Sequence, residues 1–125
     1  MNLLLDTQVL LWWLADSKEL GKEARAAIQD GNNTIFVSAA SAWEIEIKRA
    51  LGKLRSPENL ESTLVSGQFL ELPVKIAHSV ALRRLPAIHR DPFDRMLAAQ
   101  AHVERLRVVT SDPVFAKYGI PLIET

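Results

Sequence analysis

The sequence has 125 residues, 48% of them hydrophobic and 24% charged, which predicts a single globular domain over residues 1–125 rather than a disordered chain. It contains no cysteine, which excludes disulfide scaffolds, cysteine zinc sites and thiol catalysis. The 15 basic and 15 acidic residues cancel, so any attraction to nucleic acid must come from a local patch.

Short apolar segments alternate with helical segments along the whole chain. Residues 2–5 fit either a strand or the start of a helix, because so short an apolar run has no periodicity. In chain order, the pattern then predicts helices at 8–14 and 22–30, a strand at 34–37, helices at 38–51 and 56–66, and a strand at 68–74. It next predicts a helix at 77–85, a loop at 86–90 and a helix from 91 to about 106. The last predicted elements are a strand at 107–110, a short helix at 112–118 and an edge strand at 121–123.

The first predicted helix is apolar on nearly all sides and includes Trp12 and Trp13. A helix without a polar face is either buried in the core or part of a subunit interface. The strands are continuous apolar runs, which is typical of a parallel sheet covered on both faces. We therefore predict a three-layer α/β/α fold with a central, mainly parallel sheet of five strands.

Four acidic residues are predicted to meet at one edge of this sheet. Ligands of open parallel sheets bind beyond the carboxyl ends of the strands. Asp6 and Asp112 follow strands there, and the helices that begin at the same edge hold the other two acids, Glu44 and Asp94. Taken singly, each acid also fits a helix cap or a solvated helix position.

Four clustered carboxylates repel one another and require a cation. Oxygen ligands without cysteine or histidine favour Mg²⁺ or Mn²⁺, ions that activate water in phosphodiester cleavage. No histidine is positioned by a motif as a general base, so we expect metal-assisted deprotonation. The acids therefore predict a metal-dependent phosphoryl-transfer site, most simply a nuclease.

Two basic segments flank the predicted ligands, at residues 48–55 and 83–95. Their side chains are either solvated surface charges or contacts to nucleic-acid phosphates. If they contact phosphates, the affinity for nucleic acid falls steeply as the salt concentration rises. The candidate RNA-binding residues are Lys48, Arg49, Arg84, Arg90 and Arg95.

The chain resembles PIN-domain ribonucleases, in particular the VapC-type toxins of bacterial toxin–antitoxin pairs. The motifs that carry the resemblance are LLLDTQVLLW, SAASAWEIEIKRALGKL, HRDPFDRMLAAQA and VVTSDPVFAKYGI, in the family's order and spacing.

The resemblance implies a PIN-like α/β/α fold that cleaves RNA with Mg²⁺ or Mn²⁺. It places Asp6, Glu44, Asp94 and Asp112 on the family's acidic positions. Our hypothesis for the mechanism is that Asp6 and Asp94 hold the principal metal and that Glu44 and Asp112 complete the shell directly or through water. Thr7 falls on the hydroxyl residue that often follows the first acid, and Asp91 is mainly a helix cap with a supporting role. The resemblance also implies a homodimer neutralised by a cognate antitoxin.

Two alternative functions compete with this interpretation. A haloacid-dehalogenase-like phosphatase needs a second Asp two residues after the first, and Gln8 occupies that position. A catalytically inactive PIN-like module that binds RNA or a protein would be marked by a missing acid, and all four are present. The apolar runs are too short to span a bilayer, and Met1–Ala15 lacks a basic start, so we expect a cytoplasmic protein that does not bind membranes.

Overall fold

A five-stranded parallel sheet forms the centre of the computed structural model, which describes residues 1–125. Its strands are β1 (Asn2–Leu5), β2 (Thr34–Ser38), β3 (Leu70–Leu72), β4 (Arg107–Thr110) and β5 (Leu122–Glu124). They lie in the order β3-β2-β1-β4-β5, and every neighbouring pair is parallel. The predicted fold class is confirmed, with a sheet that is entirely parallel.

Helices connect all the strands. They are α1 (Thr7–Leu14), α2 (Lys22–Gln29), α3 (Ala39–Ala50), α4 (Leu60–Ser66), α5 (Ile76–Ala81) and α6 (Pro92–Glu104), with 3₁₀ helices at Leu82–Arg84 and Pro113–Tyr118. None of them combines the length and the apolar character that crossing a lipid bilayer requires.

Three predicted boundaries differ from the structure. The helix expected from residue 56 begins only at Leu60, because the side chain of Asn59 caps it by accepting a hydrogen bond from the Ser62 amide. The strand expected over 68–74 is limited to β3, because Gln68 has a left-handed φ of 63° and Pro73 follows the strand. The helix expected over 77–85 begins at Ile76 and tightens to a 3₁₀ helix after Ala81.

The core lies on both faces of the sheet because side chains alternate along each strand. Leu3 and Leu5 face the cluster that contains Leu10 of α1, whereas Leu4 faces the cluster that contains Leu97 of α6. All three leucines of β1 are fully buried. The central strand is therefore covered on both sides, and its carboxyl end, followed by Asp6, lies at the middle of the sheet edge.

The apolar helix α1 covers the core of its own chain. Val9 and Leu10 are fully buried, while Trp12 and Trp13 are half-buried and pack against the same core cluster. The Trp13 ring meets Phe69 edge to face, with ring centroids 6.4 Å apart. Of the two roles predicted for this helix, the structure supports burial in the core.

Candidate functional site

Four carboxylates from separate segments approach one another at the carboxyl edge of the sheet. Asp6 follows β1, Glu44 lies in the second turn of α3, Asp94 in the first turn of α6, and Asp112 two residues after β4. Burial is the largest cause that raises the pKa of Asp6, and the negative charges of Asp112 and Glu44 raise it further. Asp112 and Glu44 are therefore near enough to Asp6 for their charges to act on its carboxyl group.

Asp6 is held by hydrogen bonds to both of its carboxylate oxygens. Oδ1 accepts from the Gln8 amide at 2.8 Å, which makes Asp6 the N-cap of α1. Oδ2 accepts from the Thr110 hydroxyl at 2.5 Å. The side chain is therefore oriented by its own helix and by the neighbouring strand β4.

Thr110 also connects Asp6 to Asp112. Its hydroxyl donates to Asp6 and accepts from the Asp112 amide at 2.9 Å. The residue is fully buried. Sequence reasoning missed Thr110, although its place at the end of β4, paired with the strand that precedes Asp6, is a signal that could have identified it.

Asp112 caps the 3₁₀ helix that follows β4 and also binds a histidine. Its Oδ1 accepts from the Val114 amide at 3.0 Å, and its Oδ2 lies 2.8 Å from Nε2 of His89. Burial acts to raise the pKa of Asp112, but the hydrogen bonds from His89 and Val114 outweigh it and lower the pKa below its ordinary value. Asp112 is thus held as a carboxylate.

His89 is a site residue that the sequence did not indicate. No motif places a histidine as a general base, and the loop before α6 brings His89 against Asp112. The other ring nitrogen, Nδ1, lies 2.8 Å from the Tyr118 hydroxyl, which also accepts from the His89 amide at 3.2 Å. Asp112 is 23 residues from His89, and no periodic pattern connects the two positions.

Glu44 is buried and paired with a lysine on the same helix. Its Oε2 lies 2.8 Å from Nζ of Lys48, one helical turn further on. The hydrogen bond with Glu44 is the main cause that raises the pKa of Lys48. Lys48, predicted to bind RNA, therefore balances the charge of a predicted metal ligand.

Asp94 has the most perturbed carboxylate of the four. Burial, followed by the charges of Asp91 and Asp6, raises its pKa from 3.8 to about 6. Asp91 is the N-cap of α6, as predicted, and its Oδ1 accepts from the amides of Phe93 at 2.8 Å and Asp94 at 3.1 Å. A nearby cation would relieve this repulsion.

The remaining predicted residues divide into those that bind their own chain and those that face solvent. Buried Thr7 donates to the Ser41 hydroxyl at 2.8 Å. Arg95 donates to the Pro86 carbonyl at 2.8 Å and holds the loop that precedes α6, while Arg49 contacts the Glu58 carbonyl at 3.4 Å. The candidate phosphate contacts Arg84 and Arg90 are exposed.

The donors at this edge are carboxylate and hydroxyl oxygens, which suit hard cations such as Mg²⁺ and Mn²⁺. By its chemistry the set fits the predicted ion. The geometry differs from the expected cage, because no three Asp, Glu or His side chains are arranged to hold one ion together. The hydrogen bonds described above orient Asp6, Glu44 and Asp112 individually.

Two apolar cavities flank α3 and lie beside the acids rather than among them. One, of about 380 Å³, lies between α3, α4 and β3 and has Glu46, Glu61 and Glu71 in its lining. The other, of about 390 Å³, is lined by Trp43 and Phe93, whose rings meet edge to face at 5.3 Å. Trp43 and Phe93 directly precede Glu44 and Asp94, so the second cavity borders the acidic edge.

Solved structures with the same fold come from toxin–antitoxin complexes. VapBC2 from Rickettsia felis, bound to a DNA fragment from its promoter, matches with a TM-score of 0.72 and 16% identity over 99% of this chain and 98% of that one. DNA-bound VapBC from Salmonella typhimurium matches with a TM-score of 0.71 and 18% identity, over 99% of this chain and 98% of that one. FitAcB from Neisseria gonorrhoeae matches with a TM-score of 0.67 and 20% identity, over 98% of this chain and 96% of that one.

Two comparisons rest on sequence. Ribonuclease VapC16 from Mycobacterium tuberculosis (strain ATCC 25618 / H37Rv) is 61% identical over 36 residues, which are 29% of this chain and 26% of that protein. The match thus spans about a quarter of that relative's length. The family model described as PIN domain matches residues 3–121. The resemblance indicated by the four motifs is confirmed, and the chain belongs to the PIN domain family.

Proposed function

We propose that this protein is a metal-dependent endoribonuclease, the toxin of a toxin–antitoxin pair, which hydrolyses RNA phosphodiester bonds. The observation that supports this most strongly is the gathering of Asp6, Glu44, Asp94 and Asp112 at one sheet edge, with the pKa of Asp94 raised to about 6. Carboxyl groups whose pKa is raised by burial and by neighbouring negative charge are typical of functional sites, because a folded protein gains no stability from them.

The relatives support the same function. The short match is to a protein named as a ribonuclease, and the structural neighbours are complexes of a toxin with its antitoxin. By analogy, this chain acts on RNA in the cytoplasm, forms a homodimer and is neutralised by a cognate antitoxin.

The four acids would hold Mg²⁺ or Mn²⁺, with Asp6 and Asp94 as the principal ligands and Glu44 and Asp112 completing the set. When bound, such an ion lowers the pKa of a water molecule and stabilises the charge that develops on a phosphate.

The chain's own residues prepare the site for that chemistry. Thr110 orients Asp6, and Lys48 neutralises Glu44. Asp91 fixes the first turn of α6 and with it the position of Asp94. The exposed guanidinium groups of Arg84 and Arg90 provide positive charge for phosphates on a protein whose net charge is zero.

The test is cleavage of a mixed-sequence single-stranded RNA by the purified chain with Mg²⁺, with Mn²⁺, or with EDTA. We expect cleavage with at least one metal, none with EDTA, and none by Asp6→Asn under any condition. Glu19→Gln, an exposed acid outside the site, is the matched control and should cleave as the wild type does.

A DNA oligonucleotide of the same sequence tests the specificity for RNA. Binding of RNA without cleavage in every metal condition would contradict the proposal and indicate the alternative, a PIN-like module that binds without catalysis. Cleavage at the wild-type rate by Asp6→Asn would show that the reaction takes place elsewhere on the protein.

A further inference from the structure

We propose that His89 is a positioning residue for the proposed nuclease reaction: it donates from Nε2 to Asp112 and so orients the fourth acid, while Tyr118 holds the other side of the imidazole. The inference rests on the proposed function for its catalytic consequence. The position and tautomer of His89 are inferred independently of that function, from its contacts with Asp112 and Tyr118.

Asp112 determines which ring nitrogen of neutral His89 bears the proton. Nε2 faces Asp112 Oδ2 at 2.8 Å, and because a carboxylate only accepts, the hydrogen bond requires the proton on Nε2. Nδ1 is then an acceptor. The Tyr118 oxygen accepts from the His89 amide at 3.2 Å and lies 2.8 Å from Nδ1, so its own proton can point to Nδ1 and support the same tautomer.

The imidazole is also held mechanically. Its side chain is 10% exposed, and its ring stacks on Tyr118 with centroids 5.5 Å apart and planes 15° apart. Phe115 packs against another side at 4.8 Å. The ring therefore has little freedom to turn away from Asp112.

The two bonds to Asp112 leave it able to bind a further group. Oδ1 accepts from Val114 and Oδ2 accepts from His89, which uses one lone pair on each oxygen. The second lone pair of each oxygen is available to a cation. Bonds of this kind fix the direction of a carboxylate ligand, and their loss typically reduces metal affinity or activity about 10- to 100-fold.

Three substitutions separate hydrogen bonding from packing. His89→Leu keeps an apolar side chain against Phe115 and Tyr118 but removes the donor. His89→Gln returns a donor to the position of Nε2. Tyr118→Phe keeps the ring and removes the hydroxyl that contacts the amide and Nδ1 of His89. His102→Leu is the matched control, because His102 is exposed on α6 and makes no contact with the acids.

The readouts are kcat and KM for RNA cleavage, the affinity for Mn²⁺ alone by calorimetry, and the tautomer of His89 by nitrogen NMR on the metal-free chain at mildly alkaline pH. We expect His89→Leu to lower kcat and Mn²⁺ affinity about 10- to 100-fold with little change in KM, and His89→Gln to stay within about 10-fold of the wild type. Tyr118→Phe should keep the Nε2–H tautomer, because Asp112 still accepts from it, and should lower kcat and Mn²⁺ affinity less than His89→Leu does. His102→Leu should change nothing.

The failure of this inference is distinguishable from the failure of the proposed function. If the wild type cleaves and binds Mn²⁺ but His89→Leu does both equally well, the positioning role is wrong and the nuclease proposal stands. If the wild-type NMR spectrum shows the Nδ1–H tautomer, the geometric argument is wrong. If the wild type cleaves no RNA with either metal, the proposed function is wrong, and the positioning role is then judged by Mn²⁺ affinity and tautomer.

Discussion

Replacing Asp94 by Asn should stabilise the protein in the absence of divalent metal. The folded state raises the pKa of Asp94 to about 6, above the ordinary 3.8, mainly through burial and through the charges of Asp91 and Asp6. The Asn side chain has nearly the same shape but no charge. Asp94→Asn therefore removes the repulsion while the α6 N-cap, which belongs to Asp91, stays in place.

The sign and size of the effect follow from the difference between the two pKa values. Between the unfolded pKa and the folded pKa the folded state binds more protons, so the wild type loses stability as the pH rises through about 4 to 6. A shift of about 2 units corresponds to about 3 kcal/mol, roughly halved because solvent screens part of the carboxyl group. Asp94→Asn also loses the attraction between the carboxylate and the N-terminus of α6, which reduces the gain in stability by roughly 0.3–1 kcal/mol.

We therefore expect Asp94→Asn to be about 1 kcal/mol more stable above pH 7, or about 4 °C higher in melting temperature. Thermal unfolding by circular dichroism in EDTA, repeated from pH 4 to 8, measures this. The advantage should vanish near pH 4, where both proteins are uncharged at this position. Added Mg²⁺ should narrow or reverse it at neutral pH, because metal binding stabilises the wild type more.

The control is Glu19→Gln, which removes one negative charge from an exposed position outside the site. It should show no pH-dependent difference from the wild type. A lower melting temperature for Asp94→Asn in EDTA at neutral pH, or a difference that does not change with pH, would refute the argument from charge repulsion.

Three other variants test neighbouring parts of the site. Asp6→Asn should lower the rate of RNA cleavage at least 100-fold, roughly the loss expected of a metal ligand or electrostatic group, while the melting temperature in EDTA does not fall, because Asn also caps helices. Asp91→Ala should destabilise the protein by about 0.5–2 kcal/mol in urea titration, since two amides of α6 lose their acceptor; an unchanged midpoint would contradict its capping role. Replacing Arg84 and Arg90 together by Ala should weaken RNA binding and make the slope of log Kd against log salt shallower by about 1.4, the value for two phosphate contacts on a single strand; an unchanged slope in fluorescence anisotropy would remove these arginines from the interface.

Much of the fold could be predicted because it depends on local pattern. Apolar runs in the segments of β2 and β4 indicated buried parallel strands, and Asp91 with Pro92 marked the start of α6. The run at residues 2–5 fitted a strand or the start of a helix, and the structure shows strand β1 there. The main boundary errors are at β3, α4 and α5. The left-handed Gln68 delays the start of β3, and the Asn59 cap delays the start of α4. The helix α5 tightens to a 3₁₀ helix after Ala81, and none of these features changes the apolar pattern.

The acids could be predicted for a similar reason. When the strands of a sheet are parallel, their carboxyl ends lie at the same edge of the sheet. Polar residues that follow neighbouring strands are therefore brought close together by the topology alone. The placement of Asp6 and Asp112 after neighbouring strands β1 and β4 follows from this rule.

By itself, the sequence determined the parallel sheet, the helix caps and the sheet edge to which the four acids are assigned, because periodicity and turn chemistry act over a few residues. Only the tertiary structure decided the hydrogen-bonded partners of those acids: Thr110 on Asp6, and His89 with Tyr118 on Asp112. Such contacts depend on how loops and helices pack across tens of residues, and packing of that kind leaves no repeating signature along the chain.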